Sequence, residues 1–261
     1  MRFHSTLINR LLPTLALALV SGASIADESL KQVQQKFDTQ YGEDVVTVTT
    51  TPFDGFYSYH PRLSPDQAGI RITTPDLSIR ANDGYRGWKN ADESVVAPEI
   101  VARFRQQAVG QLPLEKAILV RKNDAPLSMM IYSALDCASC IELEKFLSKS
   151  NFSYGIYATA LAPQRKAMAE QVYCQPSPAK AWVQLMVTRA LNAEPSRSDC
   201  SYPHKDIKAV SGMFASGKTP TIIFADGDVS LEPDYSAAGQ KKMSAYIREK
   251  VRQGIVFTPA N

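Results

Sequence analysis

Hydrophobic and polar positions along this chain change rhythm three times, and each change marks a boundary. An apolar stretch from Leu11 to Val20 follows Arg2 and Arg10. From Glu28 to Tyr41, Leu30, Val33 and Phe37 recur at helical spacing until Gly42 stops them. Short β-like runs come next: Val45 to Thr51, Phe53 to Tyr59 (interrupted by Gly55), Gly69 to Thr74, Leu77 to Arg80 and Tyr85 to Trp88. Pro75-Asp76 and Asn82-Asp83-Gly84 separate them as turn signals. So small a β unit has few buried positions, and its strand edges need covering. Pairing with a second copy is one economical solution.

Helical rhythm returns from Ser94 to Gly110, with Pro98 and Glu99 at first-turn positions and Ile100, Val101, Phe104 and Ala108 following. It reads as a connecting helix, the alternative being the first helix of the next domain. From Lys116 the pattern is α/β. Ala117–Arg121, Leu127–Ser133 and Phe152–Ala158 read as strands, with a helix from the Cys137 region to Lys149. Helical stretches follow at 165–172 and 178–191, then a loop with Pro195 and Cys200, and a helix from His204 to Phe214 stopped by Gly217. Thr221–Ala225 is a strand, Asp226-Gly227-Asp228 a turn, and Ser236–Gln253 a closing helix. There is no internal repeat and no low-complexity tract.

The leader changes the picture. Arg2 and Arg10, an apolar core of about ten residues, and small Ser24 and Ala26 make a secretory signal peptide, residues 1–26, cut after Ala26. The apolar core is too short for a permanent span, no later run of about 18 apolar residues exists, and stable membrane insertion is not expected. The formal charge is +3, and loss of two arginines and no acids with the leader leaves +1. That balance points to neither nucleic acid nor anionic lipid. His60, in an aromatic loop, and His204, in a helical first turn, remain after cleavage, while Trp88 and Trp182 read as core or interface residues. Exported proteins meet an oxidising space, so four cysteines there read as redox or structural.

Cys137-Ala138-Ser139-Cys140 ends the apolar run Leu127–Ser133 and opens an amphipathic stretch with Ile141, Leu143, Phe146 and Leu147 apolar and Glu142, Glu144 and Lys145 between them. At a strand-to-helix junction, unpaired N–H groups and the helix dipole stabilise a thiolate at the first cysteine. The second, one turn on, shares its face and can close a disulfide with it. Haem attachment would need His after Cys140, and Ile141 stands there. A zinc quartet of Cys137, Cys140, Cys200 and His204 satisfies ligand chemistry on paper but strands Cys174 in an oxidising space, so no metal is expected. A purely structural Cys137–Cys140 bridge would constrain little chain.

The strand, the Cys-x-x-Cys helix, a second strand, a helical insertion, and Thr219-Pro220 before a hairpin and a last helix resemble the thioredoxin fold. With the preceding β unit, the whole mature chain resembles the periplasmic disulfide isomerases of the DsbC/DsbG type. Val172-Tyr173-Cys174, Cys200 and Ser216-Gly217-Lys218-Thr219-Pro220 carry the resemblance alongside the active pair. It implies an α+β chain: an N-terminal dimerisation domain at 27–91, a linker helix at 92–112, and a thioredoxin-like catalytic domain with a helical insertion at 113–261. It implies V-shaped homodimers joined through the N-terminal domains, with the redox sites facing a shared apolar cleft.

Carried over, Cys137 attacks, Cys140 resolves, Pro220 is a cis-proline facing them, and Cys174–Cys200 is a structural disulfide, the alternative being a second redox relay. Closing a loop of that size stabilises by roughly 3 kcal/mol in the chain-entropy model. A cis-proline leaves the Thr219 backbone free to pair with a substrate strand; a trans proline starting a strand is the plain alternative. Ala138-Ser139 departs from the Gly-Tyr or Pro-Tyr expected between the cysteines and removes an aromatic beside the nucleophile.

The expectation is a periplasmic thiol–disulfide interchange protein, an isomerase or reductase of misoxidised or unfolded exported proteins with chaperone activity. It needs no cofactor, and it is kept reduced by a DsbD-type membrane reductant. A dithiol oxidase is the close alternative, although no charged residue lies between the cysteines to favour the thiolate. A non-catalytic chaperone whose thiols are incidental is the other.

Overall fold

Two five-stranded sheets carry the chain in the computed structural model, which describes residues 22–62, 71–82, 87–192, 195–231 and 234–259. The first is an antiparallel meander of β1 (Val46–Thr50), β2 (Tyr57–Pro61), β3 (Arg71–Thr73), β4 (Ile79–Asn82) and β5 (Trp88–Asn90) in sequential order. Helix α1 (Gly22–Tyr41) packs Val33 and Phe37 against Val48 and Tyr59 on one face. Ile72, Ala81 and Trp88 are turned toward the rest of the molecule. The expected signal peptide lies mostly outside the described residues, and α1 begins at Gly22, ahead of both Glu28 and the expected cleavage point.

Both outer strands have polar partners. The Gln34 side chain donates to the Val46 carbonyl at 2.9 Å and accepts from the Val48 N–H at 2.9 Å, standing in for a neighbouring strand. On β5, Asn90 N–H reaches Ser94 O at 2.9 Å and Val96 N–H reaches Trp88 O at 3.1 Å. At these positions the edge no longer argues for a second copy. The segment 94–96, expected as helix, is therefore extended, and the helix starts only at Pro98, where proline favours a first turn.

The run expected from Phe53 to Tyr59 also divides. Thr51 Oγ1 accepts from Phe53 N–H at 3.1 Å and donates to Phe56 O at 2.9 Å, holding a turn. Strand β2 starts after that turn, so His60 lies in a strand opposite Thr47.

Helix α2 (Pro98–Val109) lies between the two sheets. Phe104 stacks edge-on to Phe56 at 5.2 Å and tilts against Trp88 at 5.4 Å. Arg105 donates to Phe214 O at 3.1 Å, so one helix grips both units.

The second sheet has the order β10 (Val229–Leu231), β9 (Thr221–Ile223), β7 (Leu127–Ala134), β8 (Ser153–Thr159), β6 (Ile118–Val120). Strands β7 and β8 are parallel and the other pairings antiparallel. All eight residues of β7 are buried, as a central strand covered on both faces requires. Its side chains alternate: Met129 and Ile131 enter the core under α3 (Ala138–Ser148), α5 (Pro178–Thr188) and α7 (Ala237–Arg252). Met130 and Tyr132 enter the core shared with α2, α6 (His204–Val210) and the first sheet. The parallel β7–α3–β8 crossover, helical insertion, β9–β10 hairpin and closing α7 make a thioredoxin fold on an α+β chain.

The helix expected to run from His204 to Phe214 changes character midway. After Val210 it widens into a π-helical turn, Ser211–Ala215, closed by Ser216 N–H to Ser211 O at 2.8 Å. That turn is where the first sheet docks. A Cβ on Gly212 would stand 2.7 Å from Ile72 Cδ1, and Phe53 meets Phe214 edge-on at 5.8 Å. The docked turn leads directly into residues 216–220.

Candidate active site

Strand β7 delivers Cys137 to the start of α3, where it is the N-cap residue with extended backbone (φ −98°, ψ 121°). Its sulfur accepts the Cys140 N–H at 3.3 Å, using one of the unpaired donors of the first turn. Both cysteines are buried, Cys140 at 1% exposure and Cys137 at 9%, so Cys137 is the less sealed of the two.

The same asymmetry governs ionisation. The Cys137 pKa falls from 9.0 to about 6, first through the Cys140 thiol donating to its thiolate, with the Thr219 side chain and the Cys140 and Ser139 backbone N–H groups adding to the effect against partial burial. Burial pushes the Cys140 thiol up, and the adjacent Cys137 sulfur adds to it. The Ala134 N–H, 3.4 Å from the Cys140 sulfur, and the Ser133 side chain oppose that rise only in part. Cys140 stays a thiol while Cys137 ionises.

Opposite the pair, the Thr219–Pro220 peptide is cis and Pro220 is buried. The Thr219 carbonyl is 3.5 Å from the Cys137 sulfur and accepts its S–H when that sulfur is protonated. Two consecutive left-handed residues, Ser216 (φ 49°) and Gly217 (φ 77°), turn the chain into this loop. Cys137, Cys140, Thr219 and Pro220 are thus brought together from positions 82 residues apart.

Cys174 and Cys200 lie elsewhere, joined by a disulfide with Cα atoms 5.5 Å apart. It ties the end of α4 (Lys166–Tyr173) to the loop before α6. The zinc quartet is therefore not assembled, because Cys200 is already bonded. Among the described residues no cluster of three His, Cys, Asp or Glu could hold a metal, and no helix is long and apolar enough to cross a membrane.

Three polar residues near the pair escaped the sequence reading. Glu144, taken as one of the polar positions of α3, is 4% exposed. It accepts from Tyr154 OH at 2.5 Å and Trp182 Nε1 at 3.0 Å, and burial holds its carboxyl above the usual range against those two donors. This binds the redox helix to β8 and α5, and it gives the Trp182 indole a partner. The only sequence signal was a carboxylate one turn beyond Cys140.

Asp136 accepts the N–H groups of Leu161 and Ala162, each at 2.8 Å, pinning the loop after β8 beside the nucleophile with Leu161 56% exposed. Tyr235, from the segment before α7, is half-buried and packs against the core that contains both active cysteines. Nothing in its local sequence marked it.

No family model matches the chain. Proteins named "Probable thiol:disulfide interchange protein DsbC" from Bordetella parapertussis, Bordetella bronchiseptica and Bordetella pertussis are similar to it. Each is 26% identical over 215 residues, covering 78% of this chain and 71% of the relative. Among solved structures, a disulfide interchange protein from Neisseria gonorrhoeae is similar at 23% identity and a TM-score of 0.45, covering 52% of this chain and 96% of that one. The sequence relatives it is similar to are thus named as DsbC-type thiol:disulfide interchange proteins, at 26% identity.

Proposed function

We propose that this protein repairs wrongly paired cysteines in exported proteins by thiol–disulfide exchange at Cys137 and Cys140. One arrangement carries the reading: the Cys137 sulfur caps a helix N-terminus, accepts the Cys140 N–H at 3.3 Å and faces the cis Thr219–Pro220 peptide with the Thr219 carbonyl 3.5 Å away. The Cys137 thiolate attacks one sulfur of a substrate disulfide, forming a mixed disulfide and releasing the other sulfur as a thiolate. A substrate thiol can then displace Cys137, which is isomerisation. Alternatively, Cys140 attacks Cys137, which releases reduced substrate and leaves the pair oxidised. Thr219 supplies strand-like backbone pairing to the substrate chain. Cys174–Cys200 holds the helical insertion and takes no part in exchange.

The setting is an oxidising extracytoplasmic space, the periplasm, reached through a cleaved leader. Isomerisation there needs a reductant of the DsbD type, and a homodimer joined through residues 27–91 would face two such sites across one cleft with chaperone activity. These assignments rest on the family resemblance. Mass measurement under native conditions, with and without residues 27–90, tests the assembly, and a monomeric full chain removes the shared cleft.

The lowered Cys137 pKa also favours a second reading, a dithiol oxidase, because a stabilised thiolate makes the disulfide easier to reduce. Rescue of a scrambled multi-disulfide protein together with the reduction potential separates the two. A potential near about −120 mV, that of a strong oxidant, without repair of scrambled substrate rejects the isomerase. Full rescue by Cys137→Ala rejects exchange altogether and leaves a chaperone.

A further inference from the structure

Thr219, whose carbonyl faces the Cys137 sulfur, stands seven positions after Gly212, where the first sheet docks. The chain between them has little freedom. Ser216 N–H reaches back five residues to Ser211 O at 2.8 Å, and Lys218 N–H bonds Ala215 O at 2.9 Å. Thr221 Oγ1 then donates to Lys218 O at 2.9 Å. A displacement of the π-helical turn therefore passes through successive short closures to Thr219.

The turn has an alternative close at hand. A π turn closes on the fifth residue where an α-helix closes on the fourth, so it carries one extra residue, and such turns are rare. Relaxing it to α-helix would draw that residue in and swing the following chain by about 100° around the helix axis, one residue's share of a 3.6-residue turn. The Thr219 carbonyl would then leave its place 3.5 Å from the Cys137 sulfur.

The contacts that hold the turn open come from outside the thioredoxin unit. Ile72, on the central strand of the first sheet, is paired with Ser58 on one side and Ala81 on the other and is fully buried. A Cβ on Gly212 would stand 2.7 Å from its Cδ1 and 2.8 Å from its Cγ1, so the side chain lies directly on that backbone. Phe53 meets the Phe214 ring edge-on at 5.8 Å, and Arg105 of α2 donates to Phe214 O at 3.1 Å. A Cβ on Gly227, in the turn after β9, would stand 2.8 Å from Gln106 N, so α2 also braces the hairpin that follows Pro220.

We propose that Ile72 and Phe53 are positioning residues for exchange: by holding the π turn, they set the Thr219 backbone where a substrate strand can pair with it beside Cys137. This rests on the exchange reading of the site and adds to it. Backbone pairing requires donor–acceptor distances of about 2.7–3.2 Å, so a shift of about 1 Å at Thr219 breaks it. Cys137 is carried by β7 and α3 and keeps its N-cap bond to Cys140 N–H whatever the turn does. The effect therefore falls on binding of peptide and leaves the chemistry of the sulfur in place.

The test uses a compensating pair in the full chain, on a Cys140→Ser background that traps the mixed disulfide at Cys137. Gly212→Ala alone forces a methyl group against Ile72, and Ile72→Ala alone leaves a gap; together, the new methyl meets the Cβ of residue 72 at 3.8 Å, an ordinary contact. The probes are 2-hydroxyethyl disulfide, which has no peptide groups to pair, and a short peptide closed by one disulfide. We expect each single variant to raise the peptide concentration for half-maximal trapping rate by roughly fivefold, within the range such couplings span. The rate with 2-hydroxyethyl disulfide should change less than twofold, and the double variant should return to within twofold of the parent. Phe53→Leu loses the contact with Phe214 from a separate segment and should show the same peptide-only loss, which decides the role even where Ile72→Ala fails to fold. Unchanged peptide dependence overturns the role, as does a double variant no better than the worse single one. Slowing with both probes overturns it too, because Cys137 itself is then disturbed. A parent chain that traps neither disulfide overturns the exchange reading and this role with it.

Discussion

Lowering the Cys137 pKa to about 6 is worth less at neutral pH than it first suggests, and the arithmetic decides which assay is informative. At pH 7 about 90% of such a sulfur is thiolate, against about 1% for a thiol titrating at 9, a gain of roughly ninetyfold. Nucleophilicity falls with basicity, with a Brønsted slope of about 0.4–0.5, so a thousandfold weaker base attacks roughly 16–32 times more slowly. The net advantage at pH 7 is only about three- to sixfold. At pH 5 it grows to about 30–60-fold, because the ordinary thiol has almost no thiolate left.

The informative perturbation is therefore pH. Rates of iodoacetamide labelling of the reduced protein, with the modified residue identified, should rise with a midpoint near 6 at Cys137 while Cys140 stays unlabelled. Cys140→Ala removes the first cause of the shift and should move that midpoint upward. The linked effect on folding has a definite sign: the folded pKa lies below the unfolded one, so stability from this thiolate is present above about pH 9 and lost as pH falls through about 6. Reduced wild type should therefore gain on Cys137→Ala in denaturant midpoint between pH 5 and 8. A labelling midpoint at 8 or above, or no labelling of Cys137 in the folded protein, refutes the reasoning.

Replacing Cys174 and Cys200 together by alanine opens a bridge spanning 26 residues and should cost about 3 kcal/mol in denaturant unfolding, with the Cys137 labelling midpoint unmoved. Gly212→Ala puts a methyl group against Ile72 and should loosen the docking of the first sheet on the turn before Thr219; faster proteolysis of the chain between 91 and 98 would report it, and an unchanged cleavage rate would count against the docking. Glu144→Ala leaves the Tyr154 hydroxyl and Trp182 indole N–H buried without their acceptor and should cost on the order of 3 kcal/mol, read as a lower urea midpoint at constant slope.

The redox pair was legible in the sequence because its signals are local. An apolar run, two cysteines three apart and an amphipathic stretch specify a buried strand, a turn and a helix without reference to anything distant. The same holds for the meander, read from alternation and turn residues, and for α2, read from Pro98 and its apolar spacing. Errors fell where a distant contact outweighed local preference. Residues 211–215 read as ordinary helix, but Ile72 presses on Gly212 and the helix widens there. Residues 94–96 read as helix, but β5 offered them backbone partners.

What the chain alone determined was which segments are helix or strand and which sulfur stands at a helix start, since periodicity and caps act within a few residues. Tertiary structure alone decided which polar groups are buried. Glu144 bonded to Tyr154 and Trp182, Gln34 against a strand edge, and Tyr235 packed against a core that holds cysteines 95 and 98 residues earlier all look like surface residues in one dimension. Burial and charge depend on what folds over a residue, and no pattern in its own neighbourhood records that.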